Sequence, residues 1–219
     1  MPDHVTGLAL ALREGTRTLH GLAERSGIVR EIVLGRVYED AYVLYLRNLL
    51  PVYQEMEHIL KSQRGLPLIS TVARPPIYRA AAIEADLEAL RGSAWSSLPV
   101  LRSSERYAEC IARSVRNGAA RLLAHAYVRY MGDLSGGPVL GRTLSRALRL
   151  GPEALHFYTF PEIRDQTGFK VEYRRAICAC GEQIADWSPV IDEAMIAFEL
   201  NIALSESVLE AADSAVSGR

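Results

Sequence analysis

A hydrophobic repeat of about 3.6 residues runs through most of this 219-residue chain and constrains its fold more than any other feature. Because no segment alternates apolar and polar residues as a half-buried strand would, the repeat predicts an all-α fold. Hydrophobic residues make up 49% of the chain and charged residues 23%, which is typical of a globular protein with a packed core. We expect a single domain over residues 1–219, with residues 205–219 as a frayed C-terminal tail.

Glycine, proline and capping residues set the bounds of the predicted helices. The region between residues 62 and 77 contains prolines and predicts a connection over Leu66 to Pro76, and the stretch from Gly92 to Pro99 predicts a loop. We find no internal repeat and no low-complexity linker, so one domain accounts for the whole pattern. The predicted helices cover residues 5–24, 38–61, 78–90, 104–117, 119–148, 167–188 and 189–212.

Charge and cysteine content argue against several classes of protein. A net charge of −1 lacks the basic excess of a chain that binds nucleic acid or an anionic membrane. The three cysteines, Cys110, Cys178 and Cys180, form no C-x-x-C pair, which argues against a disulfide framework and a structural zinc motif. We see no signal peptide or membrane anchor in the sequence and expect a cytoplasmic protein without nucleic-acid or membrane partners.

The segment from Tyr130 to Gly141, YMGDLSGGPVLG, places four glycines and Pro138 inside an otherwise strong helical pattern. Each glycine costs a helix about 1 kcal/mol relative to alanine, and proline removes a backbone donor. One explanation is close helix–helix contact through small residues, or a break or bend in the helix. The other is that bare backbone forms the wall of a pocket for a flat ligand, with Asp133 beside it.

A second group of residues shares one face of the first predicted helix. Offsets of three, four and seven residues bring Arg13, Thr16, Arg17 and Glu24 onto the face of His20. A neutral imidazole supported by a carboxylate can ligate a metal, and the arginines can bind an anionic ligand. A surface histidine on a solvated arginine face is the alternative interpretation.

Four segments together resemble the heme oxygenases, and the resemblance covers nearly the whole chain. They are LREGTRTLH at residues 12–20 with the following Ala23-Glu24, AHAYVRYMGDLSGG at 124–137, FYTFP at 157–161 and FKVEYR at 169–174. The resemblance implies a single-domain helical bundle in which heme is sandwiched between a proximal helix and a kinked, glycine-rich distal helix.

The resemblance also implies roles for individual residues. His20 corresponds to the proximal ligand of the heme iron and Glu24 to its hydrogen-bonding support. Asp133 corresponds to the anchor of the distal water network. Pro138 departs from the pattern, because many members have glutamine there. The other residues implied are Gly132, Gly136 and Gly137 in the distal wall, Tyr53, Tyr127 and Arg129 in the network, and Arg13, Arg17, Lys170 and Arg174 at the propionates. The spacing from His20 adds Thr16 to the heme-binding set.

The reaction implied is cleavage of heme b at the α-meso carbon to biliverdin IXα, CO and Fe²⁺. Heme would be both substrate and cofactor, with O₂ and electrons from an external reductant, a soluble ferredoxin or flavoprotein. One alternative is a non-catalytic heme-binding or heme-delivery protein on the same scaffold. Another is a related all-α hydrolase of thiamin-like amines with a cysteine nucleophile. The sequence predicts core or capping roles for spare histidines such as His125.

Overall fold

The computed structural model describes residues 7–116 and 118–218. Across this part of the chain the regular structure consists of α-helices and short 3-10 turns without a strand, which confirms the all-α prediction. The predicted helix ends at Val5 and Asn117 lie outside the described residues. The α-helices are α1 Leu8–Gly15, α2 Arg17–Ala23, α3 Gly27–Val33, α4 Glu39–Ser62, α5 Pro67–Val72, α6 Ala80–Arg91, α7 Arg102–Arg116, α8 Ala119–Leu148, α9 Gln166–Gly181 and α10 Ser188–Ser217.

The first predicted helix is two helices, α1 and α2. Thr16 lies between them with φ −103° and ψ 3°, and its hydroxyl donates to the Leu12 carbonyl at 2.7 Å. A side chain that bonds back to the preceding turn competes with the continuing helix. The face predicted around His20 is therefore interrupted at Thr16.

The helix α3 was not predicted, and it depends on a tertiary contact. Gly27 begins α3 with φ 50°, and a Cβ there would lie 2.3 Å from the Ser205 carbonyl carbon in α10. The Ser205 hydroxyl donates to the Ser26 carbonyl at 3.0 Å and accepts from the Val29 amide at 3.2 Å. Only glycine permits this approach, so α3 docks directly on α10.

The core is formed where α4, α7, α8 and α10 pack on one another. Tyr42, Tyr53, Tyr107 and Tyr130 are among the largest fully buried side chains. The C-terminal segment belongs to this core, because α10 continues to Ser217 with Ser205, Val208 and Ala212 buried. Residues 205–217, expected as a frayed tail, thus continue α10, and three of them are buried against neighbouring helices.

The helix α8 runs unbroken from Ala119 to Leu148 through its glycines and Pro138. The alternative of a broken helix is therefore wrong. Proline lacks the amide hydrogen that would bond to the carbonyl four residues earlier, which makes this turn the place where a bend is expected. The predicted connection at 66–76 is also partly helical, since α5 begins at Pro67.

Candidate heme site

The four glycines of α8 fall into two pairs with different surroundings. A Cβ built on Gly132 or Gly136 would meet no heavy atom within 4 Å. A Cβ on Gly141 would lie 2.9 Å from the Tyr158 Cβ, and one on Gly137 would lie 3.6 Å from the Tyr158 ring. The two pairs therefore differ: Gly132 and Gly136 border open space, as the wall of a ligand pocket would, whereas Gly137 and Gly141 pack against protein, as small residues at a close contact would. Gly137, predicted in the wall of the pocket, is buried and has the Tyr158 ring on its Cβ side.

Asp133 anchors a compact hydrogen-bond network beside the open glycines. The Tyr53 hydroxyl, which comes from α4, donates to Asp133 Oδ2 at 2.5 Å. Arg129, one turn before Asp133 on α8, donates to that hydroxyl oxygen from Nε at 2.9 Å and from Nη2 at 2.7 Å. Arg129 Nη2 also lies 3.7 Å from Asp133 Oδ1. The structure thus brings together three of the residues predicted for the distal network.

Burial controls the protonation of this network. Burial raises the pKa of Asp133, opposed by the charge of Arg129 and the hydrogen bond from Tyr53. Burial also raises the pKa of Tyr53 well above its ordinary value, so its hydroxyl keeps its proton. The Asp133 side chain is 11% exposed, which leaves the carboxylate within reach of the space beside the glycines. A carboxylate with a raised pKa in such a place can accept and return a proton.

Asn201 on α10 completes the support of Arg129, because its side-chain oxygen accepts from Arg129 Nη1. Asn201 was not predicted as a site residue. An asparagine in the long C-terminal helix carries no motif of its own, and only the packing of α10 on α8 gives it a partner.

Tyr127 does not lie with this network. Tyr127 lies six positions before Asp133, a rotation of about 240° around the helix, so the two side chains leave α8 in different directions. Burial raises the pKa of Tyr127, and the charges of Arg174 and Arg13 oppose the rise. The helix geometry thus does not support a place for Tyr127 in the distal network, and two of the predicted propionate-binding cations act on its hydroxyl through their charge.

His20 is presented at the surface of α2. Its side chain is 57% exposed, its ring contacts the Phe198 ring edge-on at 5.8 Å between centroids, and its Nδ1 lies 3.9 Å from Glu24 Oε1. Phe198 lies one turn from Asn201 on α10, so the same stretch of α10 contacts His20 and supports Arg129. This stretch holds the imidazole and the network of Asp133 in one region of the molecule.

The remaining predicted residues lie on α1, α2 and α9. Arg13 and Arg17 are exposed, and Arg17 pairs with the exposed Glu14. Such an exposed ion pair is weak, so Arg17 can exchange this partner for a ligand carboxylate. Lys170 and Arg174 are half-buried on α9. Thr16, also predicted in the heme-binding set, is buried, and its hydroxyl donates to the Leu12 carbonyl.

These features fit a flat, dianionic metal complex. The open faces of Gly132 and Gly136 leave room for a planar ligand, which any side chain at these positions would occupy. His20 offers an accessible imidazole, and cations on α1, α2 and α9 are available to carboxylates.

The family model of the heme oxygenases matches residues 6–207. The chain belongs to the heme oxygenase family. Human heme oxygenase 1 is 36% identical over 207 residues, covering 93% of this chain and 72% of the human protein. Heme oxygenase 1 of Synechocystis is 33% identical over 196 residues, covering 89% of this chain and 82% of the relative.

Solved structures of heme oxygenases share the fold. Synechocystis heme oxygenase-1 in complex with heme superposes with a TM-score of 0.84 at 30% identity, covering 97% of this chain and 99% of that one. The heme oxygenase of Leptospira interrogans superposes with a TM-score of 0.87 at 31% identity, covering 92% and 100%. The predicted family and fold are therefore confirmed.

Proposed function

We propose that this chain is a heme oxygenase that binds heme b between α2 and α8 and opens the ring at the α-meso carbon, releasing biliverdin IXα, CO and Fe²⁺. The observation that carries the proposal is the open face of Gly132 and Gly136 beside the buried network of Asp133. The names of the relatives and the heme complex of the Synechocystis protein support it.

His20 would ligate the iron from the side of α2. A thiolate ligand pushes electron density toward the iron and so favours cleavage of the O–O bond. A neutral imidazole lacks this strong electron push. Glu24 lies one turn on and can hold the other ring nitrogen through a water. Heme itself supplies both the ring that is cleaved and the iron that activates O₂.

Asp133 would order water on the distal side of the heme. Its Oδ2 is occupied by the Tyr53 hydroxyl, so Oδ1 is the atom left to accept a hydrogen bond from a water in the open space beside Gly132 and Gly136, which we call the slot. Arg129 fixes Tyr53 and is itself held by Asn201, so the carboxylate keeps one orientation. A water held at Oδ1 can donate a proton toward the reacting centre without a side chain entering the slot.

Arg13, Arg17, Lys170 and Arg174 would bind the heme propionates, and Tyr127 joins this edge as a hydroxyl donor beside Arg13 and Arg174. Cations on one edge would fix the rotation of heme about its normal, and that rotation would decide which meso carbon lies at the place of attack. The α isomer is the expected product.

Electrons would come from an external soluble donor, a ferredoxin or a flavoprotein reductase, and O₂ would be consumed. No helix in the described part of the chain is long and apolar enough to cross a membrane. The cytoplasmic location stays a prediction.

The test is to load the purified chain with hemin and add a reductant in air. We expect the heme absorption to be replaced by that of biliverdin, with CO released. His20→Ala removes the iron ligand and should abolish turnover, whereas His58→Ala, which changes an exposed histidine on α4, should not. A stable heme spectrum under reductant would support the heme-delivery alternative, and failure to bind heme would exclude both heme functions.

The cysteine-hydrolase alternative has a carboxylate beside a cysteine, since Glu193 accepts from the Cys110 thiol at 3.6 Å. However, burial raises the pKa of this thiol and the charge of Glu193 raises it further. The thiol is therefore held protonated, which is the opposite of an activated nucleophile.

A further inference from the structure

A second polar group lies where α7, α8 and α10 meet, apart from the network of Asp133. It consists of Cys110 on α7, His125 on α8 and Glu193 on α10, and one ligand atom of each lies within 4.8 Å of the others. His125 is fully buried and Glu193 nearly so, whereas Cys110 is half-buried. The group therefore sits in the core with one member reaching toward solvent.

The spacing of these atoms is close to that of a metal coordination sphere. Glu193 Oε1 lies 3.0 Å from His125 Nε2 and 3.6 Å from Cys110 Sγ. In a tetrahedral zinc site with Zn–S near 2.3 Å and Zn–N and Zn–O near 2.0 Å, such ligand atoms lie roughly 3.3–3.6 Å apart. Two of the three edges of a zinc site are thus nearly formed, and the third, between the sulfur and the imidazole, is within 4.8 Å and shortens when the metal binds.

Arg121 prepares the carboxylate for this role. Its Nη1 donates to Glu193 Oε2 at 2.9 Å, which leaves Oε1 directed at the cysteine and the histidine. The guanidinium of Arg121 also balances the negative charge that the carboxylate carries when it binds a metal ion.

One buried atom of the group is left without a partner. His125 Nδ1 makes no hydrogen bond among the described residues, so the ring is held in position through Nε2 and its packing against Tyr107, 5.9 Å away between ring centroids. An imidazole with a hydrogen bond at only one nitrogen can exchange that partner for a metal ion more readily than one held at both nitrogens.

We propose that Cys110, His125 and Glu193 form a site for one Zn²⁺, with a water as the fourth ligand. Zinc would bind Cys110 Sγ, His125 Nε2 and Glu193 Oε1; the thiol proton leaves to solvent, and the imidazole proton moves from Nε2 to Nδ1. Since that Nδ1–H lacks an acceptor and Arg121 adds positive charge nearby, the affinity should be weaker than that of a four-cysteine site. The metal would link three helices of the core.

The test measures binding of Zn²⁺ alone by equilibrium dialysis against the full chain without heme. All variants carry His20→Ala, so that this exposed imidazole does not compete for zinc. We expect one zinc per chain and at least a tenfold loss of affinity in Cys110→Ser. Cys178→Ser, which changes another half-buried cysteine, is the matched control and should bind as the parent does.

Two further measurements separate this site from adventitious binding. Co²⁺ should produce a thiolate-to-cobalt absorption band in the Cys178→Ser protein and none in Cys110→Ser. Zinc at about a hundred times its Kd should raise the Tm by roughly 5–10 °C, an effect that Cys110→Ser loses. Absence of stoichiometric binding, or equal affinity in the two cysteine variants, would overturn the proposal.

Discussion

Tyr53→Phe tests whether the network of Asp133 is held by the hydroxyl that bridges it to Arg129. The substitution deletes one oxygen and keeps the ring, which is fully buried. It removes the donor to Asp133 at 2.5 Å and the acceptor of two hydrogen bonds from Arg129 at 2.9 and 2.7 Å. Both former partners remain buried or nearly so, and hydrogen bonds to charged groups contribute about 1.5–3 kcal/mol each.

The expected loss is smaller than the sum of three such bonds. Arg129 Nη2 already lies 3.7 Å from Asp133 Oδ1, so the guanidinium and the carboxylate can approach each other and recover part of the energy. Arg129 also keeps its bond to Asn201. We expect Tyr53→Phe to lower the free energy of unfolding by about 3 kcal/mol.

Tyr130→Phe is the matched control. Tyr130 is also fully buried, and its hydroxyl has no hydrogen-bond partner among the described residues. Removing an unpaired buried hydroxyl relieves a desolvation cost, so this variant should be neutral or up to about 1 kcal/mol more stable.

Urea unfolding of the heme-free proteins measures both effects, with an unchanged m-value as the sign that unfolding stays two-state. Tyr53→Phe should also reduce heme turnover, because Asp133 loses its fixed orientation. A loss of stability below about 1 kcal/mol, or one equal to that of Tyr130→Phe, would refute the bridging role.

Four further variants test the site and a buried glutamate of the core. Asp133→Ala should still bind heme but divert the loaded protein from biliverdin formation to peroxidase-like reactions, whereas a normal biliverdin yield would remove Asp133 from the mechanism. Gly136→Ala should stabilise the heme-free protein by up to about 1 kcal/mol in urea unfolding, because a Cβ there meets no atom within 4 Å, and should lower heme turnover because the methyl enters the slot; unchanged turnover would contradict the slot. Replacing Arg17 and Arg174 by leucine should leave heme bound but mix the biliverdin isomers in chromatography, and a single unchanged isomer would argue against propionate anchoring. Burial raises the pKa of Glu57, so the contribution of this carboxyl to stability falls as pH rises from the unfolded value of 4.5 through the raised folded value. The stability of Glu57→Gln relative to wild type should therefore increase over that interval, and a constant difference would contradict the raised pKa.

The sequence predicted the helical class and most long helices because their hydrophobic periodicity is local. It also predicted which residue types the site would combine, since the segments around His20 and Asp133 resemble a known family. The separate helices α1, α2, α3 and α5 were missed or merged. Each is short, and their ends depend on contacts such as that of Gly27 with Ser205, which no local pattern reports.

The sequence therefore predicts which residue types the site combines, whereas packing decides what each of them contacts. Neighbouring glycines of α8 look equivalent in sequence, yet Tyr158 covers Gly137 and Gly141 and leaves Gly132 and Gly136 open. Tyr127 and the pairing of Asn201 with Arg129 were likewise assigned only by the approach of α9 and α10 to α8. The physical reason is that helix periodicity fixes which face a residue occupies, whereas the partner of that face is fixed by helices far away in the sequence.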